Sequence, residues 1–231
     1  MKHEEEHLES SDFITDIVIG MSDGLTVPFA LAAGLSGAVA ANGIIITAGI
    51  AEIVAGSIAM GLGGYLAGKT EIEHYEAELQ REYEEVENVP EKEKEEIREI
   101  FEDFGLSETS QKLVVDEMAK DKDKWVKFMM QFELGLERPH INRARNSALT
   151  IGGAYIVGGF IPLCGYFFTQ TPMNGLILSS ILTVLSLMIF GFYKSKFIGQ
   201  PPLKGALKVT ITGVVAAGAA FLIAQLFNGK I

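Results

Sequence analysis

Residues Ala51–Asn88 read "AEIVAGSIAMGLGGYLAGKTEIEHYEAELQREYEEVEN". Up to Lys69 the stretch is apolar with a single charge, Glu52; beyond Lys69 it is among the most highly charged in the chain. No proline separates the halves, so one helix is predicted to leave a membrane and continue into water. Asn88-Val89-Pro90 stops it, because proline cannot continue a helix but suits the first turn of the next. The fold class that follows is all-α: a polytopic membrane protein carrying a polar helical insert.

Composition agrees. The 231 residues have a mean hydropathy of +0.25 and 48% hydrophobic side chains, too apolar for an ordinary soluble protein. Of the 49 Lys, Arg, Asp and Glu residues, 35 lie between Lys69 and Arg145. A hydrocarbon layer of about 30 Å needs about 20 apolar residues in helix. Five segments meet that length: Ile17–Ala41, Gly43–Ala67, Asn146–Phe168, Met173–Tyr193 and Val209–Phe227. Only Asp23 is charged in the first and only Glu52 in the second; the last three carry no charge. The expected division is an N-terminal segment 1–15, spans one and two in 16–68, a helical insert 69–141, and spans three to five in 142–231.

Orientation follows from the basic residues. The turns at Ala41-Asn42-Gly43 and Thr169–Pro172 carry none, whereas Lys69, Arg138, Arg143, Arg145, Lys194, Lys196, Lys204 and Lys208 flank the opposite ends of the spans. The positive-inside rule then makes the N-terminus and insert cytosolic and puts the C-terminus on the far side. The acidic start "MKHEEEHLESSDF" lacks the basic region of a secretory signal. One cysteine, Cys164, builds no disulfide framework. A net charge of −11 favours cations as partners and argues against nucleic acid.

Within the insert, Glu71–Asp103 holds fifteen acidic and four basic residues. Such runs are usually solvated faces, but spacing here is specific. Glu82-x-x-Glu85 and Glu93-x-x-Glu96 each put two carboxylates on one helix face. A reversal at Val89 sets Glu85 opposite Glu93 and Glu82 opposite Glu96, with Glu78 and Glu99 one turn further out. Converging anions need a cation. A later helix offers Met129, Met130 and Glu133, and thioether with carboxylate points to a first-row transition metal rather than Mg²⁺ or Ca²⁺. The alternative for the two methionines is core packing between Phe128 and Phe132. The other insert helices are expected at Glu91–Asp103, Ser110–Lys120 and Lys124–Glu137, with Ser107 as an N-cap.

An aspartate inside a membrane helix costs about 2.5–3.5 kcal/mol on insertion scales, so Asp23 needs a partner, a cavity or a substrate path. Counting residues inward from the cytosolic ends, Asp23 and Met60 lie at matching depths on antiparallel spans. Glu52 is about two turns deeper, and Asp16 stands seven residues before Asp23 on nearly the same face. Asp16, Asp23 with Met60, and Glu52 thus form a graded path. Pro28 removes a backbone hydrogen bond and bends the first span beside it. Gly20-x-x-x-Gly24 and Gly64-x-x-x-Gly68 permit close helix approach and suit an oligomer.

"DIVIGMSDGLTVPFALAAGLSG" (Asp16–Gly37), "AEIVAGSIAMGLGGYLA" (Ala51–Ala67) and a Glu-rich insert before three more spans resemble the vacuolar iron transporter family over essentially the whole chain. The resemblance implies a homodimer in the vacuolar membrane, with its C-terminus luminal, that exports cytosolic Fe²⁺ in exchange for protons along a path at the dimer interface. It carries Asp23 and Met60 onto the family's intramembrane metal-path residues and Glu52 onto its span-two glutamate. Glu82, Glu85, Glu93, Glu96, Met129, Met130 and Glu133 fall where the family's cytosolic domain binds metal. Fe²⁺ is then substrate and bound metal, other divalent transition metals fit the same donors, and no prosthetic group or enzymatic activity is implied.

Two other readings fit parts of the sequence. A membrane-anchored di-iron carboxylate ferroxidase would use Glu-x-x-His pairs, for which Glu71-x-x-His74 and Glu137-x-x-His140 have the spacing, although Pro139 interrupts the second. A channel with a docking insert leaves Asp23 and Met60 without a role.

Overall fold

The computed structural model describes residues 10–39 and 41–228; most of the expected N-terminal segment 1–15 lies outside the described residues. Within them the chain forms eight helices and no strand. These are α1 (Ser10–Ser36), α2 (Asn42–Asn88), α3 (Pro90–Asp103), α4 (Glu108–Met118), α5 (Lys122–Phe132), α6 (Arg143–Phe167), α7 (Pro172–Phe197) and α8 (Pro202–Asn228). Five of them, α1, α2, α6, α7 and α8, are long and apolar enough to cross a membrane. With 47 residues α2 is about 70 Å long, well over twice a hydrocarbon layer. The chain divides into two compact units, residues 67–143 and residues 1–66 with 144–231.

In the larger unit α6 packs against both α1 and α2. Ala32 of α1, Ile45 and Ile53 of α2, and Leu163 and Tyr166 of α6 form one buried cluster. The approach is too close for side chains: a Cβ on Gly20 would stand 2.2 Å from the Ile151 carbonyl oxygen, and one on Gly24 2.4 Å from that of Tyr155. Gly64 of α2 likewise lies against Ile151 and Ser147. The small residues at 20, 24 and 64, expected to serve an oligomer, therefore meet α6 of the same chain. Phe29 and Ala33 of α1 pack on Ala217 of α8. At one end of the bundle the Asn42 amide donates to the carbonyls of Tyr166 (3.2 Å) and Thr169 (2.7 Å), and the Tyr166 and Ser36 hydroxyls hydrogen-bond at 2.8 Å. The Ser179 hydroxyl donates to the Pro162 carbonyl at 2.6 Å, tying α7 to α6. Exposed Ile50, Val54, Ile58 and Leu62 on α2, and Ile177, Ile181 and Leu185 on α7, suit contact with lipid tails.

Several helix ends differ from the hydropathy reading: α1 begins at Ser10 rather than Ile17, and α7 runs on to Phe197 past Tyr193. Helix α8 begins at Pro202, seven residues before Val209, with Lys204 and Lys208 in its first two turns. Hydropathy stops at a lysine but a helix does not, because the lysine stem lies along apolar surface while the amine reaches the membrane edge. Helix α1 ends at Ser36 rather than Ala41.

In the smaller unit Val86, Ile97, Val115, Trp125, Val126, Met129 and Met130 form the core. The reversal after α2 takes a single residue: Val89 N–H donates to the Glu85 carbonyl (2.8 Å), its own carbonyl accepts from Lys92 N–H (2.9 Å), and Pro90 opens α3. Ser107 stands at the N-cap position of α4, but its hydroxyl pairs with that of Ser110 instead of a backbone amide. Asp121 caps α5, accepting from Lys124 N–H. Helix α5 stops at Phe132, short of the expected Glu137, because Gly135 takes the left-handed conformation (φ +63°) and Leu136 N–H turns back to the Met130 carbonyl at 2.7 Å.

Gly24→Ala puts a methyl group against backbone that cannot swing aside, and overpacking of this kind costs about 1–3 kcal/mol or more. The variant is expected to melt below wild type in detergent, whereas Gly153→Ala, which meets nothing within 4 Å, is expected to melt unchanged.

Candidate metal centre

The α2–α3 hairpin brings its glutamates together because acidic and apolar residues share its inner face. Glu82 stands one turn before Val86, and Glu93 one turn before Ile97; both apolar partners are core residues. Their burial carries the carboxylates inward, leaving Glu82 1% exposed and Glu93 fully buried. One carboxylate oxygen from each of Glu82, Glu85 and Glu93 lies within 4.8 Å of the other two, and the same holds for Glu93, Glu96 and Glu133. Glu93 belongs to both triads. Glu133 is the C-cap of α5, its N–H donating to the Met129 carbonyl. Oxygens bound at 2.0–2.2 Å to one transition-metal ion stand up to about 4 Å apart, so either triad closes on a cation with small movements.

The cluster concentrates buried negative charge. Oε2 of Glu82 and both carboxylate oxygens of Glu93 are buried without a hydrogen-bond partner among the described residues. Burial, reinforced by Glu133 and Glu85, pushes the Glu82 carboxyl up to about 7. Burial, then Glu96, Glu82 and Glu85, pushes Glu93 up to about 7. Glu133 is also raised, by burial and then Glu96. Two cations stand at the rim. Arg81 reaches Glu78 at 2.7 Å, Glu85 at 3.7 Å and Glu82 at 3.9 Å, and Lys92 reaches Glu96 at 2.7 Å and Glu93 at 3.9 Å. The sequence reading passed over both, although basic residues at i±3 and i±4 in an acidic run are the signal for such pairing. Glu78 is held by Arg81 outside the triads, and Glu99 is exposed. Met129 and Met130 are 0% and 1% exposed in the apolar core. His74 and His140 are exposed, and both triads are glutamate only.

In the spans, Asp16 is buried at 3% exposure and Asp23 is half-buried. Asp23 lines a cavity of about 510 Å³ walled by α1, α7 and α8; Met60, half-buried on α2, is not among the residues lining it. Glu52 meets a residue that sequence reasoning missed. The Tyr155 hydroxyl of α6 donates to Glu52 Oε1, while Oε2 is buried without a partner among the described residues. Gly56, one turn beyond Glu52, makes room for the phenol, since a Cβ there would stand 2.4 Å from its oxygen. A tyrosine amid the small and aliphatic residues of the first half of span three was the available signal. Pro28 lies within α1, which remains helical on both sides of it.

Five apolar helices, two of which carry carboxylates, joined to a cluster of glutamates, define a helical membrane protein built to handle cations. A model of the VIT family matches residues 14–225, and the chain belongs to that family. Over 224 residues it is 49% identical to vacuolar iron transporter 1 of Tulipa gesneriana (97% of this chain, 91% of the relative) and 48% identical to vacuolar iron transporter 1 of Arabidopsis thaliana (97% and 90%). It is 39% identical over 223 residues to Protein CCC1 of Saccharomyces cerevisiae, covering 93% of this chain and 69% of that one.

The raised carboxyls fix the sign of a pH effect. Between about pH 4.5 and 7 the folded chain holds protons on Glu82 and Glu93 that the unfolded chain has released. Their contribution to stability therefore falls as pH rises through that window. Relative to the double variant Glu82→Gln, Glu93→Gln, metal-free wild type is expected to lose melting temperature from pH 5 to pH 7.5. An unchanged difference between the two proteins contradicts the assignment.

Proposed function

We propose that this protein is a transporter of the vacuolar membrane that moves Fe²⁺ from the cytosol into the vacuole in exchange for protons, working as a homodimer with the N-terminus and insert cytosolic and the C-terminus luminal. Near-half identity to plant proteins named vacuolar iron transporters supports the cargo and the membrane. The observation that carries the reading is the pair of buried carboxylates at Glu82 and Glu93, each grouped with further glutamates, in which Oε2 of Glu82 and both oxygens of Glu93 have no hydrogen-bond partner among the described residues. A buried carboxylate without a partner must take up a proton or a cation.

In this reading Glu82, Glu85, Glu93, Glu96 and Glu133 gather cytosolic Fe²⁺, and the thioethers of Met129 and Met130, within one turn of Glu133 on α5, complete the donor set. Within the bilayer Asp16, Asp23, Met60 and Glu52 form the path, with α1 and α2 of two copies bringing Asp23 and Met60 together at the dimer interface. Protons moving the other way compete with the metal for Asp23 and Glu52, so a proton arriving weakens the hold on the cation. The hydrogen bond from Tyr155 supports Glu52 in this role, because it fixes one carboxylate oxygen and leaves the other for a proton. These donors accept Mn²⁺, Co²⁺ and Zn²⁺ as well, since first-row ions differ in affinity more than in ligand preference.

Two measurements separate the parts. In proteoliposomes, Fe²⁺ uptake is expected to follow an imposed pH gradient and to be abolished by Asp23→Ala; transport retained in that variant overturns the path. By calorimetry, alanine at Glu82, Glu85, Glu93 and Glu96 together is expected to remove most Fe²⁺ binding while helix content is kept. Binding at wild-type affinity would return the glutamates to the role of a solvated face.

A further inference from the structure

The insert is acidic, yet from Asn146 to the end of the chain there is no aspartate or glutamate, in a protein of net charge −11. The lysines of this region converge. Lys194 in the last turn of α7 and Lys204 and Lys208 in the first turns of α8 line the cavity of about 510 Å³ that Asp23 also borders, with Ser195 and Thr212 on its wall. Among the described residues none of these three ammonium groups has a carboxylate within 4.0 Å, although most lysines of the insert do. The first turn of α8 adds to the positive field, since its opening amides have no helical partner and the helix dipole is positive there.

Three cations against the one carboxylate of Asp23 leave this wall positive by two charges, which repels a divalent metal and attracts an anion. The volume falls in the range of small-molecule sites, about 300–1,000 Å³. The cavity lies where α7 and α8 meet, beside the short connection between two membrane helices. Basic pockets between helices at a membrane edge suit phosphorylated headgroups.

We propose that this cavity binds a multiply charged phosphate group, held by Lys194, Lys204 and Lys208, supplied either by an acidic lipid headgroup or by a free phosphate compound. The site is distinct from the carboxylate cluster, and it does not depend on which ion is transported. Its occupant neutralises the lysines facing Asp23, so the field there becomes more favourable to a cation.

The test uses the full chain in neutral detergent and calorimetric binding of four probes: a dioctanoyl phosphatidylinositol bisphosphate, the matching soluble inositol phosphate, inorganic phosphate, and dioctanoyl phosphatidylcholine. The phosphoinositide is expected to bind and the phosphatidylcholine not to. Binding of the soluble inositol phosphate or of inorganic phosphate with equal affinity assigns the site to free phosphate compounds; binding of the lipid alone assigns it to the membrane. Each lysine is worth about fivefold near an anionic group, so the triple Lys194→Gln, Lys204→Gln, Lys208→Gln variant is expected to lose about a hundredfold, and exposed Lys204→Gln alone about fivefold. The corresponding triple arginine variant is expected to keep binding. Full-strength binding in the triple glutamine variant overturns the proposal. So does an equal loss when Lys112, Lys120 and Lys127 of the insert are changed to Gln, or equal affinity for the neutral lipid.

Discussion

Glu93 is fully buried and neither of its carboxylate oxygens has a hydrogen-bond partner among the described residues. Leaving a buried anion in that state costs several kcal/mol, so the insert at rest must hold a proton or a cation there. The hairpin makes the condition unavoidable. Val86 and Ile97 must be buried for the small unit to have a core, and each drags a glutamate one turn away into the same interior. Stability of the module and its appetite for positive charge thus come from one arrangement. Arg81 and Lys92 moderate it from the rim without reaching hydrogen-bond distance of Glu82 or Glu93.

The membrane unit repeats the pattern with different parts. Glu52 has one oxygen held by Tyr155 and the other without a hydrogen-bond partner among the described residues, and the two glycines Gly24 and Gly56 give Tyr155 the room to stand there. In both units a carboxylate is positioned firmly and left incompletely satisfied, which is the electrostatic form a reversible cation site takes. A fully paired carboxylate would be more stable and would have no use for a metal. The exchange of proton and metal proposed for the chain needs only this competition at each carboxylate.

Much of the fold was legible because its signals are strong ones: five apolar runs of membrane length, and a proline that stops one long helix and opens the next. Helix ends were less legible. The start of α8 was hidden by lysines that a membrane-edge helix tolerates, and the end of α5 depended on the left-handed Gly135. The glutamates that converge could be read from the period of two helices about Val89. The core positions of Met129 and Met130 could not, because a thioether on a helix face serves packing and ligation alike. Tyr155 stayed unseen because its partner, Glu52, lies about a hundred residues away in sequence, and only packing brings them together. Gly20 and Gly24 read as an oligomer motif for the same reason: spacing shows that a backbone approaches closely, not whose backbone it is.

The central claim is that the glutamates of the hairpin hold the metal. Anomalous scattering at the iron edge, from crystals of the Fe²⁺-loaded protein kept free of oxygen, locates the ion without reference to transport. The account predicts density between Glu93 and its neighbours in one or both triads, with carboxylate oxygens as ligands. Iron-loaded crystals whose anomalous density lies elsewhere, with the cluster empty, would contradict it.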